Sequence, residues 1–415
     1  MSKCYEDNNH FIKKLKQSLM RQEQDFNNSL ILNPVENVPF QDILEPCSGF
    51  LHGLYNTDTE RTTAEKYASK LQFSGRNSIT NDISYIYSVW SDLLGGEKMS
   101  MRFLSGLHAH TVLFMAITDI GDKVLYLSEK AGGHTSGKAI LERLGLTICE
   151  LPYNLQRHCI DIEKAKEVYD NFQPDVLFID RSEGLIYEDF TELCQYCSCY
   201  KIFDASQYLT NIICNDYKNP FDMGFDLILS TMHKNLPGPQ RAFVCTKKDD
   251  EKWSRLRSHI SKYVSNMHVF SIYSAGLLLG HMDELKILSK TMLSNAVSLD
   301  NNLIKLDIPV ISRFSTNNDP PTHHCWIKPP SRDKAFKLYL DLEKIGILTN
   351  YRLLPYNIGY GLRLGMSGAT MTGLQPHHTK QLAQIIKNIY INGYSEKTHD
   401  ESKTFIKNIK EIRYD

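Results

Sequence analysis

The chain has 415 residues, 42% of them hydrophobic and 23% charged, more than one hydrophobic core usually organises, so a large and a small domain are expected. Its 47 Lys and Arg balance 48 Asp and Glu for a formal net charge of -1, which lacks the basic excess of a nucleic-acid binder. No apolar run reaches the roughly 18 residues of a membrane span, and the polar start MSKCYEDNNHFIKKLKQ is unlike a secretory signal, so a cytoplasmic protein is expected.

In chain order, Phe11, Ile12, Leu15 and Leu19 stand in a polar stretch, which predicts an exposed helix or an arm touching a second copy. Ile79, Ile83, Ile86, Val89 and Leu93 recur at spacings of three and four, a helix over 77–94. From residue 101 short apolar runs alternate with helical stretches. Strands are predicted at 101–104, 123–127, 146–151, 176–179 and 201–203, with helices at 135–144, 161–172 and 190–200 between them, and one after Ser105-Gly106. That alternation means a largely parallel sheet covered on both faces. Two further strands, 226–231 and 241–245, flank the turn 235–240. A long helical region with a break near 263–270 leads to a smaller α+β unit, with helices at 333–345 and 378–391. The charged tail 395–415 reads as a solvated helix.

Ten cysteines are present. Without a signal sequence they are expected to stay reduced. Cys194, Cys197 and Cys199 lie closest together, but no second ligand pair at similar spacing follows, so no metal site is expected.

Ligands of an open parallel sheet bind beyond the carboxyl ends of its strands, and several reactive residues fall there. Lys234, in STMHKNLPGP, could hold an aldehyde cofactor as an imine, or could be a surface lysine opening a turn. Asp204 ends the strand KIFD and could cap a turn or keep a pyridine nitrogen protonated. Ser105-Gly106-Leu107 begins a helix, either as an N-cap or as a phosphate cradle. Gly132-Gly133-His134 could lay an imidazole flat on a planar cofactor. Arg363, in GLRLG, could clamp a carboxylate from the small domain. Tyr55 offers a phenol with little local signal. Singly these residues are modest, but their order along the chain fits one mechanism.

With those segments, LILNPVEN, RFLSGLHAH, EKAGGHTSG, IFDAS, STMHKNLPGP and GLRLG, the chain resembles the serine hydroxymethyltransferase family of fold-type I pyridoxal-phosphate enzymes over roughly residues 25–395. The resemblance implies an α/β transferase with a mixed, mostly parallel sheet in a large cofactor domain (61–298), an N-terminal arm (1–60) and a smaller C-terminal α+β domain (299–415). It implies pyridoxal 5'-phosphate bound to Lys234, with Asp204 at the ring nitrogen, His134 stacked on the ring and Arg363 on the substrate carboxylate. Ser105, Gly106 and Leu107 would hold the phosphate. Thr231, His233 and Gln207 would line the site, and Ser182 would reach the cofactor hydroxyl. Glu36 and Tyr55 would come from near the interface of a homodimer with shared sites; His134, His233 or Glu36 would serve as base.

The sequence also departs from the family. The Tyr-x-Glu-Gly loop is Tyr55-Asn56-Thr57-Asp58, the residue before Glu36 is Val35, Asp-x-x-His ends in Gln207, and Gly238-Pro239 is followed by Gln240, with Arg241 displaced by one. Gly238-Pro239-Gln240 followed by Arg241 resembles the family's L-threonine transaldolase branch, and the missing acid of the tyrosine loop counts against folate-dependent hydroxymethyl transfer. Both features favour folate-independent cleavage or formation of a Cα–Cβ bond, with an amino-acid donor and an aldehyde acceptor. An ordinary folate-dependent hydroxymethyltransferase and a non-catalytic relative are the alternatives.

Overall fold

The computed structural model describes residues 2–57, 62–69, 71–313 and 319–410. Asp58, Thr59 and the end of the tail, 411–415, lie outside them. Seven strands form the main sheet: β1 (Lys98–Phe103), β2 (Lys123–Tyr126), β3 (Thr147–Glu150), β4 (Val176–Asp180), β5 (Tyr200–Asp204), β6 (Leu227–Thr231) and β7 (Ala242–Thr246). Their spatial order is β1-β7-β6-β5-β4-β2-β3. Only β7 runs against its neighbours; the pairs from β6 to β3 are parallel. The α/β expectation therefore holds.

Alternation along each strand divides the core between the two faces. Val124, Phe178, Ile202, Leu229 and Val244 pack against helix α3 (Gly106–Ile117) and Trp253, Leu256 and Ile260 of α4 (Glu251–Tyr263). Leu125, Leu177, Ile179, Phe203, Ile228 and Phe243 join the opposite core, with Ile83 and Trp90 of α2 (Asn77–Leu94). The N-terminal helix α1 (Ser2–Asn27) leaves Phe11, Leu15, Leu19 and Met20 exposed.

A three-stranded antiparallel sheet, β8 (His324–Ile327), β9 (Asn350–Leu354) and β10 (Gly359–Gly365), has β10 in the middle and carries Arg363 opposite Trp326 and Asn350. Helix α5 (Met282–Lys305) runs through residue 298 without a break. Leu30–Ile31 pairs in parallel with Ile347–Leu348, tying the start of the chain to this part of the molecule.

Three local expectations change. The helix predicted over 190–200 stops at Tyr196, because the chain turns extended at Cys197 so that Tyr200 can enter β5. Residues 153–160, given no structure in the sequence reading, form a small hairpin of Tyr153–Asn154 with Cys159–Ile160. The final helix α6 (Glu396–Lys410) is not solvated all round: it buries Phe405, Ile406 and Ile409, and the Ser402 hydroxyl donates to the Ile345 carbonyl at 2.8 Å. Its charges occupy the outer face of an amphipathic helix. Phe405→Ala should accordingly cost about 3–4 kcal/mol, read as a lowered midpoint in urea unfolding. A truly solvated helix would lose almost nothing.

Candidate active site

The register of the sheet brings the reactive residues together. Asp180 and Asp204 are direct partners at the ends of β4 and β5. Phe103 and Thr231 both pair with Ala242, so the turns that follow β1 and β6 emerge side by side. The first carries Ser105 and the second Lys234. A Cβ placed on Gly106 would come 3.1 Å from Thr231 Cγ2, which shows how closely the two turns approach.

Asp204 is buried. One oxygen accepts from the Ser206 amide at 2.8 Å, and the other accepts from His110 Nε2 at 2.8 Å. His110 lies on α3, facing the sheet edge-on to Phe178 with ring centroids 5.3 Å apart. Burial would lower the His110 pKa, but the bond to Asp204 and the charges of Asp180 and Asp204 outweigh it and raise it. Burial would likewise raise Asp204, yet His110 and Lys234 hold it below the ordinary carboxylate range. The two shifts agree on an imidazolium paired with a carboxylate. Asp180 is pushed up to about 6, first by burial and then by the Asp204 charge.

Lys234 follows β6, is half-buried, and sits near enough to influence Asp204, Asp180, His110, His134 and His233 electrostatically. Its backbone is fixed by Asn37, whose Nδ2 donates to the Lys234 carbonyl at 2.8 Å. The turn beyond it is closed by the Gly238 amide, which donates to the Met232 carbonyl at 2.9 Å. Arg241 is almost wholly buried and faces no carboxylate among the described residues. It donates to Ser271 Oγ at 2.6 Å, to the carbonyls of Met267 (2.7 Å) and His268 (3.0 Å), and to that of Met101.

Gly132, at φ +92°, and Gly133 let the loop after β2 pass against its neighbours: a Cβ on either would fall within 2.2 Å of a carbonyl oxygen. His134 lies near enough to Lys234, His110 and Asp204 to feel their charges. Its Nδ1 accepts from the Ser136 amide at 3.1 Å, so the proton sits on Nε2. Burial and then Lys234 push its pKa down to about 4; the same two causes take His233 to about 4. Ser182 donates to Asp180 Oδ1 at 3.3 Å, and its carbonyl accepts from Arg363 Nη1 at 3.1 Å. Arg363 is buried, which lowers its pKa to about 10, with Glu183 opposing the fall.

Thus Lys234, Asp204, His134, His233, Thr231, Ser105, Gly106, Leu107, Ser182, Gln207 and Arg363 occupy one linked region. Tyr55 and Glu36 do not join it within a single chain. Tyr55 is 42% exposed, with its ring 5.2 Å from that of Phe73, and Glu36 is exposed beside the segment of Gly368. His110, Asp180 and Asn37 belong to the region although no sequence signal singled them out. Asp180 ends VLFID as Asp204 ends KIFD, so the same strand-end reasoning would have found it. Among the described residues, donor atoms of His110, Asp180 and Asp204 lie within 4.8 Å of one another and could also converge on a cation.

An L-threonine transaldolase from Pseudomonas fluorescens has a similar structure: the TM-score is 0.88 at 21% sequence identity, covering 99% of this chain and 94% of that one. Its fold, and therefore this one, is that of the fold-type I pyridoxal-phosphate transferases. The profile of the serine hydroxymethyltransferase family matches residues 10–386, and the chain belongs to that family. Serine hydroxymethyltransferase from Archaeoglobus fulgidus is 24% identical over 86% of this chain and 83% of its own. The enzyme of that name from Pyrococcus furiosus is 25% identical over 83% and 82%. The protein is a pyridoxal 5'-phosphate-dependent enzyme of amino-acid metabolism. Among the described residues no helix is long and apolar enough to cross a membrane.

The residues fit that cofactor. An anionic carboxylate, Asp204, is available for a pyridine nitrogen, and the first amides of α3 have no acceptor within their own helix. Buried Thr231 Oγ1, His233 Nδ1 and Asp180 Oδ2 lack protein partners among the described residues, as expected where a polar group is to be received.

Two outcomes follow. Lys234→Ala should lose the visible absorption of the purified holoenzyme, and retention of an unchanged spectrum would contradict the placement of the lysine. Stability should depend on His110 in a pH-dependent way. His110 is raised from its ordinary 6.5, so its contribution is complete below that value and fades as pH rises through the higher folded pKa. Asp204, held below 3.8, contributes above that value and loses its share as pH falls through the lower folded pKa. The urea-unfolding advantage of the native chain over His110→Phe should be widest between roughly pH 4 and 6.5 and narrow toward alkaline pH.

Proposed function

We propose that this enzyme breaks and forms the Cα–Cβ bond of β-hydroxy-α-amino acids, as a threonine aldolase or transaldolase, without tetrahydrofolate. The observation that carries this reading is position 57. Where the resemblance places the family's acid, Thr57 has a hydroxyl, and the segment is fastened in that state: the Asn56 amide donates to Asn266 Oδ1 at 3.3 Å, and the Met267 amide donates to the Asn56 carbonyl at 2.9 Å. The name of the Pseudomonas fluorescens structure, L-threonine transaldolase, agrees with it.

When bound, pyridoxal phosphate supplies a ring that withdraws electrons and stabilises negative charge at the substrate α-carbon. The chain's residues do the rest. Lys234 would hold the cofactor through its ε-amine. Asp204, kept anionic by the His110 imidazolium, holds a proton on the pyridine nitrogen. Ser105, Gly106 and Leu107 bind phosphate at the positive end of α3. Arg363 stays cationic at neutral pH even at about 10 and binds the substrate carboxylate. Ser182, whose hydroxyl donates to Asp180 in this state, would reach the ring hydroxyl. Both His134 and His233 are neutral at pH 7. His134 uses Nδ1 to accept from Ser136, which suits a stacking ring. His233 has an unpartnered Nδ1 and is the better base for the β-hydroxyl proton.

Glu36 and Tyr55 complete the site from a second copy in this reading. The exposed Phe11, Leu15 and Leu19 of α1 and the exposed Tyr55 supply apolar surface for a homodimer. The division into 1–60, 61–298 and 299–415 and a cytoplasmic location remain part of the proposal.

A second reading is folate-dependent hydroxymethyl transfer, favoured by the shared name of the curated relatives. Incubating the holoenzyme with threonine, with and without tetrahydrofolate or an acceptor aldehyde, separates the two. Acetaldehyde release without folate, increased by an acceptor aldehyde, is the expected result. Turnover of serine only with tetrahydrofolate, with threonine untouched, would replace the first reading by the second.

A further inference from the structure

Gln207 stands three residues after Asp204, where the family resemblance expects an imidazole. The structure supplies an imidazole from another element. His324, at the start of β8, places Nε2 3.3 Å from Gln207 Oε1, and both side chains are buried. An amide oxygen can only accept, so His324 Nε2 is the donor. The opposite ring nitrogen, His324 Nδ1, is buried without a hydrogen-bond partner among the described residues; the Gly184 carbonyl, which accepts from the Thr322 hydroxyl at 2.6 Å, lies near enough to raise the ring's pKa. The ring is itself confined. His323 lies against it with centroids 4.3 Å apart, and His323 Nδ1 is 3.2 Å from Ser367 Oγ. Burial, His323 and Arg363 all push His324 well below its ordinary pKa, leaving one ring proton to assign.

An amide whose oxygen is held this way has a single orientation, with its two N–H donors turned from the histidines. Those donors have no protein acceptor within hydrogen-bond distance among the described residues, in contrast to Gln207 Oε1. Asp204 lies on one side of this segment. On the other, Arg363 on β10 adjoins the strand carrying His324, with His324 opposite Gly365. We infer that His324 is a positioning residue that pins the Gln207 carbonyl, so that the amide N–H groups face the amino acid held by Arg363 and bind one of its oxygen atoms. The inference rests on the assignment of Arg363 and the cofactor made above and extends it to substrate selection.

The test uses holoenzyme carrying Gln207→Glu, His324→Leu, both together, or His324→Gln, which keeps a donor at similar reach. The reading is the dissociation constant for glycine from the change in the visible spectrum, beside KM and kcat for threonine, with the thermal midpoint as a folding control. Gln207→Glu and His324→Leu should each weaken glycine binding about tenfold, the double variant no more than Gln207→Glu alone, and His324→Gln by less than about threefold, with kcat less affected than KM. Nitrogen NMR should find the His324 proton on Nε2. Unchanged binding in His324→Leu, single effects that multiply in the double variant, or a proton on Nδ1 would overturn the inference. Should His324→Leu not fold, loss in Gln207→Glu with retention in His324→Gln supports it, and any other pattern overturns it. Failure of the cofactor assignment looks different: the native protein itself would then show no visible band to titrate.

Discussion

Two carboxylates, Asp180 and Asp204, end adjacent strands in register inside the protein, and this concentration of buried negative charge shapes the site around it. Unpaired, each would be costly to keep ionised. The chain distributes the burden unequally. Asp204 receives the His110 imidazolium and a backbone amide, while Asp180 has a hydroxyl and one oxygen without a partner, and is pushed toward protonation. One acid is thereby specialised as an anion, the state that the proposed pairing with a pyridine nitrogen requires. Removing His110 would take away the cation that keeps Asp204 anionic beside Asp180, so its role is electrostatic before it is steric.

The reactive groups are otherwise carried on short turns, and their accuracy comes from hooks between backbone and side chain. Asn37 holds the carbonyl of Lys234, Arg241 gathers the carbonyls of Met267 and His268, and Gly132 and Gly133 allow the His134 loop to pass close to its neighbours. Arg241 has no anionic partner among the described residues, and its buried charge is spread over carbonyl dipoles and Ser271. That arrangement ties the residue just before β7 to the loop bearing Asn56, through Met267.

Most of this was readable from residues alone. Strand ends followed by Ser-Gly, Gly-Gly-His, Asp and Lys stand out because apolar runs of four or five residues stop abruptly at a polar group, and the parallel sheet then places those stops on one edge. His110 was hidden because a histidine in the second turn of an apolar helix looks like any core residue; only its contact with Asp204 distinguishes it. The final helix was misread because its few apolar residues are outnumbered by charge, although Phe405, Ile406 and Ile409 share one face. Gln207 appeared in the sequence as the loss of an imidazole. Its replacement, His324, lies on a different strand, and no local pattern could connect the two.

Asn37, which steadies the lysine turn, lies a few residues beyond the segment Leu30–Ile31, and that segment is seated by Ile347–Leu348 much later in the chain. During synthesis the large sheet can close around its own strands long before that second segment leaves the ribosome. The amino-terminal stretch must then wait, unpaired, while most of the polypeptide is made. Final assembly of the Lys234 turn is thus a late event with a long loop to close, and a truncated translation product would hold a formed sheet with an unsupported lysine.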